Sequence, residues 1–160
     1  MLLRPGADRP AGHRRFGQAD TIRPGDHRSR RQSGEVRPIT VADSPVVPNP
    51  NGLDAHRLFA SPDVEVVHIA LPAGHALVRH AAPVDTLFYI ITGIGTVESD
   101  AGSVRAEAGT LVPHPKETFH RVRNETRDRL EFLVIKAPRP VVPPRFDATA
   151  NQTQPEGDNP

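Results

Sequence analysis

Gly109-Thr110-Leu111-Val112-Pro113-His114-Pro115-Lys116-Glu117-Thr118-Phe119-His120-Arg121-Val122-Arg123-Asn124 is the stretch on which the fold turns. Two short runs rich in β-forming residues, 110–112 and 119–123, flank a segment broken by Pro113 and Pro115, which reads as strand, turn, strand. In the second run Arg121 and Arg123 alternate with His120 and Val122. The strand period of two puts His120 and Val122 on one face and the arginines on the other, which their charge makes the solvated exterior, as for Arg79 beside His80.

The texture continues on both sides. Segments 57–59, 64–71, 76–80, 86–92, 96–98, 104–107 and 130–136 are short and rich in Val, Ile, Leu and Phe. Turn chemistry separates them at Pro72-Ala73-Gly74, Gly93-Ile94-Gly95, Asp100-Ala101-Gly102 and Asn124-Glu125-Thr126. No stretch of ten residues carries a helical period. Some eight short strands in about 85 residues predict an all-β sandwich or small barrel.

On those residues the chain resembles the cupin superfamily. Gly109, Pro115, His120 and Asn124 fall in register with the second cupin motif, G-x5-P-x-G-x2-H-x3-N, and only its second glycine departs, being Glu117. Four such matches arise by chance on the order of once in 10⁵ to 10⁶ start positions, given residue frequencies of a few per cent. Of the first motif, G-x5-H-x-H-x(3,4)-E-x6-G, the chain keeps Gly74, His80 and Gly93. The second histidine falls at Ala82 and the glutamate at Thr86. The resemblance covers roughly residues 53–138 and implies an all-β double-stranded β-helix, or jelly-roll barrel, with Gly74, Gly93, Gly109, Pro115 and Asn124 as architectural positions.

In the family two histidines, a glutamate and the motif-two histidine converge on one divalent metal, typically Mn, Fe, Ni or Zn. The resemblance therefore implies that His80 and His120 face the cavity as candidate metal ligands, with Ala82, Thr86 and Tyr89 lining it. Two neutral imidazoles make a thin site, because stable sites use three or four protein ligands. The candidate third ligands are Asp85, which needs a bulge to turn inward, and His68 on a neighbouring strand. His75 and His114 lie at turns and are expected at the rim. A metal held weakly or not at all is as acceptable on this sequence as a bound one.

Three functions follow as expectations. The first is binding of a small polar molecule in the barrel cavity. The second is a metal-dependent cupin enzyme, an isomerase or dioxygenase, using His80, His120 and a non-standard third ligand. The third is a non-catalytic accessory β module. Fold alone does not choose between them.

Composition bounds the rest. Hydrophobic residues make up 36% and aromatics 4% of 160 residues, with 18 prolines. That is too little core for the whole chain to pack, and predicts a barrel at 39–140 between a disordered leader, 1–38, and a disordered tail, 141–160. There is no cysteine, so thiolate sites and disulfides are excluded. No apolar run suits a membrane span or a secretory signal, which gives a cytoplasmic expectation with no membrane partner.

In the leader nine arginines and no lysine face Asp8, Asp20, Asp26 and Glu35. Such a segment reads as an inert tail or as GC-rich sequence upstream of a start near 36–41. An arm binding nucleic acid is the weaker alternative, since no aromatic or DNA-binding motif accompanies the charge. Nucleic acid is not expected as a partner. A homodimer is expected, and the apolar stretches Pro45-Val46-Val47-Pro48 and Val141-Val142-Pro143 are candidates to pack against the barrel or a partner.

Overall fold

Ten strands carry the chain in the computed structural model, which describes residues 36–148. They are β1 (Asp54–Ala60), β2 (Glu65–Leu71), β3 (His80–Ala81), β4 (Asp85–Thr92), β5 (Ile94–Ser99), β6 (Gly102–Glu107), β7 (Leu111–His114), β8 (Phe119–Arg123), β9 (Leu130–Ala137) and β10 (Arg145–Phe146). No helix occurs among the described residues, and none there is long and apolar enough to cross a membrane. The expectations for residues 1–35 and 149–160 lie outside the described residues.

The strands form two five-stranded sheets, ordered β1-β2-β9-β4-β7 and β10-β3-β8-β5-β6, with every neighbouring pair antiparallel. This is the all-β double-stranded β-helix expected from the sequence. Alternation fixes which side chains enter the space between the sheets. Val67 and Leu71 on β2, Leu130, Phe132 and Val134 on β9, and Phe88 and Ile90 on β4 form one buried cluster with Val97 and Val122 of the second sheet. Full burial of side chains of this size contributes about 1.5–3 kcal/mol each.

Two motif positions show why particular residues are needed. Asn124 is buried, and its amide donates to the carbonyls of Leu71 (3.0 Å) and Asp128 (2.7 Å) while its side-chain oxygen accepts from the Thr126 amide (3.1 Å). One side chain thus ties the end of β2 to the loop before β9. Gly93 sits at φ 82°, where a Cβ would lie 2.6 Å from the Arg129 carbonyl oxygen. Glycine alone fits both the left-handed backbone and the close approach.

In its elements the structure departs from the sequence expectations at the strand 76–80 and at the C-terminal boundary, and it shows how Glu117 is accommodated. Of the strand expected at 76–80, only His80 belongs to a ladder, together with the following Ala81, and Ala76 makes an isolated bridge to Arg123. Glu117, where the family has glycine, keeps the left-handed conformation at φ 61°, and its N–H donates to the Ala82 carbonyl at 2.7 Å. That hydrogen bond holds a conformation disfavoured for a side-chain-bearing residue.

The boundary at 140 is also corrected. Arg145 and Phe146 pair with Ala81 and His80, the Asp147 N–H donates to the Arg79 carbonyl at 3.0 Å, and Asp147 forms an ion pair with Arg79. The barrel therefore extends through Asp147, because β3 would otherwise expose an unpaired edge. At the other end, Val47 and Arg57 donate to the carbonyls of Ala55 and Pro45, so the Pro45–Pro48 stretch packs against the barrel's own β1.

Candidate ligand site

Register places the polar residues of the interior in two rows. On the first sheet Glu65 opposes Lys136, Lys136 opposes Thr86, and Thr86 opposes His114. On the second sheet His80 opposes His120, and His120 opposes Ser99. Directly opposed residues share a face, so each row is a continuous strip. The interior is therefore graded: polar at the end holding these rows, and apolar at the end holding Leu71, Ile90, Leu130 and Phe132.

The rows meet through three imidazoles. His120 stands between the other two, its ring centroid 4.6 Å from His80 and 4.3 Å from His114, edge to face in both cases. Phe88 closes on His120 from a third side at 5.3 Å. The Nδ1 atoms of His80 and His120 lie 2.8 Å from the Val78 carbonyl and 3.2 Å from the Thr118 carbonyl. A carbonyl only accepts, so both Nδ1 atoms carry the hydrogen and both Nε2 atoms keep their lone pair. Nε2 of His120 and Nε2 of His114 are buried without a hydrogen-bond partner, a state that costs free energy unless a ligand or water fills it.

Electrostatics keeps these rings neutral. Burial pushes His120 down to about 3, with the neighbouring His80 and His114 adding to the effect. His80 and His114 are likewise held below the ordinary histidine value, chiefly by burial. Lys136 adds repulsion at both His80 and His120.

His80 also forms part of the wall of a cavity of about 290 Å³. Its lining is mostly apolar, including Leu53, Ala55 of β1, Val67 and Ile69 of β2, Phe88 and Val134, together with Pro48, Pro144 and Phe146. The polar contributors besides His80 are Asn49, Asn51, Glu65 and Lys136. Glu65 is buried, and its two oxygens are taken by Arg57 Nε (3.1 Å) and Lys136 Nζ (3.3 Å).

Several expected site residues are placed elsewhere. Asp85 is exposed and accepts the Lys116 N–H at 2.9 Å, its one-residue offset from Thr86 turning it away from the interior. His68 alternates with Val67 and Ile69 and so lies on the opposite face of its sheet, where it is nonetheless buried, its Nε2 3.3 Å from Glu131. Neither is near the histidine row. Tyr89 is 38% exposed and faces outward between its register partners Leu111 and Leu133, since Phe88 and Ile90 take the inward positions. Thr86 and Ala82 are buried: the Thr86 hydroxyl points to the Val84 carbonyl at 3.4 Å, and the Ala82 carbonyl receives Glu117. His75 is exposed, as expected of a rim residue.

The residue missed is His114. It was expected at the rim, yet it is buried and completes the row, because edge strand β7 tolerates Pro113 and runs on to His114. The period of two from Val112 carried that signal. Arg79, Arg121 and Arg123 lie on the exterior but are paired, with Asp100 and Asp147, with Glu98, and with Glu98 and Glu125 respectively.

The fit to a metal is incomplete. Bare, buried, neutral imidazole nitrogens suit a borderline divalent cation. However, among the described residues no group of three or more histidine, aspartate or glutamate side chains is placed to hold one. His80 and His114 flank His120 instead of converging with it, and no carboxylate takes the place of the family's glutamate at Thr86. As they stand, the residues do not fit a resident metal.

A family model described as cupin domain matches residues 67–136. Among solved structures, an uncharacterized conserved protein with a double-stranded beta-helix domain from Klebsiella pneumoniae is 19% identical, with a TM-score of 0.56 over 65% of this chain and 91% of that one. An RmlC-like cupin family protein from Methanocaldococcus jannaschii is 24% identical, with a TM-score of 0.53 over 66% and 94%. The DMSP lyase DddQ from Ruegeria pomeroyi is 20% identical, with a TM-score of 0.55 over 68% of this chain and 59% of that one. These likenesses concern the fold. Among curated proteins, none matches the sequence.

Proposed function

We propose that this chain, whose residues 67–136 match a cupin domain model and whose fold hosts unrelated chemistries, binds a small molecule in the barrel cavity without depending on a tightly held metal. The observation that carries this reading is the cavity of about 290 Å³, walled mostly by apolar side chains with His80, Glu65 and Lys136 among its few polar ones. A pocket with an apolar wall and a few convergent polar groups is the usual form of a small-molecule site. Loss of the family's second histidine and glutamate to Ala82 and Thr86 removes ligands and negative charge from the barrel without closing it.

The test is thermal-shift and ligand-observed NMR screening of the full chain against compact organic molecules, repeated with Phe88→Trp, which fills the cavity. Binding that disappears in the filled variant supports the reading. Hits that bind the filled variant equally well overturn it.

A second reading, a metal-dependent enzyme, has one observation in its favour: the unpartnered buried Nε2 atoms of His114 and His120. Elemental analysis of untagged protein separates the two. Substoichiometric metal under replete conditions supports the first reading, and stoichiometric metal lost in His114→Ala and His120→Ala replaces it with the second. The same proposal includes a homodimer, supported by the exposed apolar side chains Tyr89, Ile91 and Leu111 on the outer face of the first sheet. A monomer in light scattering at micromolar concentration overturns that part.

A further inference from the structure

We infer that the cavity takes a compact, largely apolar monoanion, a small carboxylate, with Lys136 as its counter-ion, an inference that rests on reading the barrel as a small-molecule site. The argument begins with a count of charges. Two cations, Arg57 and Lys136, share one buried carboxylate, Glu65. Arg57 takes Oε1 at 3.1 Å, and Lys136 approaches Oε2 at 3.3 Å, longer than the 2.7–2.9 Å usual for a charge-assisted bond. Glu65 thus stays paired without Lys136, while the ammonium keeps donors to spare.

The remaining neighbours of Lys136 do not neutralise it. Along its row lie Thr86 and then His114, and the facing row offers His80 and His120, all uncharged at neutral pH. The lysine charge is felt at both His80 and His120; Arg57 and Lys136 together exceed the single Glu65 carboxylate by one positive charge, and of the two cations it is Lys136 that lines the cavity.

Size and polarity narrow the class. A cavity of about 290 Å³ holds on the order of ten non-hydrogen atoms, at about 30 Å³ of liquid volume per water-sized group. Its wall of Val67, Ile69, Phe88, Val134 and Phe146 matches a hydrocarbon body. His80 Nε2 presents a lone pair and repels a carboxylate, which orients the anionic end toward Lys136 and the hydrocarbon body along the apolar wall. An organic cation is disfavoured because Glu65 already has two partners.

The experiment is isothermal titration of the full chain at pH 7 and low salt with hexanoate and its uncharged isostere hexanamide. Hexanoate binds about tenfold or more tightly than hexanamide, the scale of one charge-assisted contact. Lys136→Met brings the two within about twofold, and Glu65→Gln, which frees Lys136, tightens hexanoate if the lysine variant fails to fold. Hexanamide binding as tightly as hexanoate overturns the charge inference and leaves the cavity reading standing. Failure of both to bind at millimolar concentration, with the protein folded, overturns the two together.

Discussion

Thr86 of β4 and His114 of β7 are register partners, so an imidazole stands beside the position at which the family motif has a glutamate. The carboxylate position of the motif is thereby taken by a threonine with a neutral imidazole beside it, while Glu65 and Lys136 remain as charged groups in the same row. The consequence is a row of three uncharged histidines next to an apolar cavity, and the behaviour of the protein in acid follows from it.

His120 titrates in the unfolded chain near 6.5 but in the folded protein only near 3. Below pH 6.5 the unfolded state therefore binds a proton that the native state does not, and stability falls as pH drops from 6.5 toward 3. His80 and His114, shifted in the same direction, add to the slope. Urea midpoints measured between pH 7.5 and 4.5 fall with pH in the parent protein, and less steeply in His120→Gln. Equal slopes in the two proteins would contradict the assignment.

Glu117→Gly is expected to stabilise the protein. The residue is held at φ 61°, a conformation costing about 1 kcal/mol or more for a residue with a Cβ. Its ion pair with Arg145 at 3.1 Å is solvent-exposed on both sides and contributes little. A gain of about 0.5–1 kcal/mol in chemical denaturation is the expected result, tempered by the larger unfolded-state entropy of glycine.

Gly93→Ala goes the other way. The added methyl meets the Arg129 carbonyl oxygen at 2.6 Å in a left-handed backbone, so a loss of about 2–4 kcal/mol is expected. A thermal melt unchanged within error would show that the turn relaxes freely.

Asn124→Ala removes a buried side chain that satisfies the carbonyls of Leu71 and Asp128. The buried Leu71 carbonyl loses its side-chain donor, while the Asp128 carbonyl keeps the Thr126 hydroxyl at 3.3 Å; a buried acceptor left unmade costs about 1–3 kcal/mol. A net loss of about 1–3 kcal/mol by urea unfolding is therefore expected, toward the lower end where water enters. Hydrogen exchange should report faster opening at the Thr126 N–H, whose acceptor is lost.

Ending the chain at Pro140 tests the corrected boundary. It removes β10, the Arg79–Asp147 pair, and the Pro144 and Phe146 wall of the cavity. The shortened protein is expected to bind a hydrophobic dye more strongly and to lose about 1–3 kcal/mol of stability, from the apolar area uncovered and the pairing lost. Dye binding identical to that of the full chain would return the boundary to 140.

What the sequence determined by itself was the barrel. Spacing of Gly109, Pro115, His120 and Asn124, with Gly74, His80 and Gly93 upstream, depends on local geometry: turns that need particular backbone angles, and strands whose alternation sends His120 and Val122 inward. The departures at Ala82 and Thr86, and so the absence of the family's glutamate, could also be read directly. Only the tertiary structure decided what surrounds His120. Whether His114, His68 or Asp85 lies near it depends on which strands pair and in which register, and that is set by packing between segments far apart in the chain. A one-residue difference in alternation sends His68 to the outer face, while the passage of β7 through Pro113 brings His114 in. The same long-range pairing set Lys136 between Glu65 and Thr86, and folded residues 145–147, which look like tail in isolation, onto the exposed edge of β3.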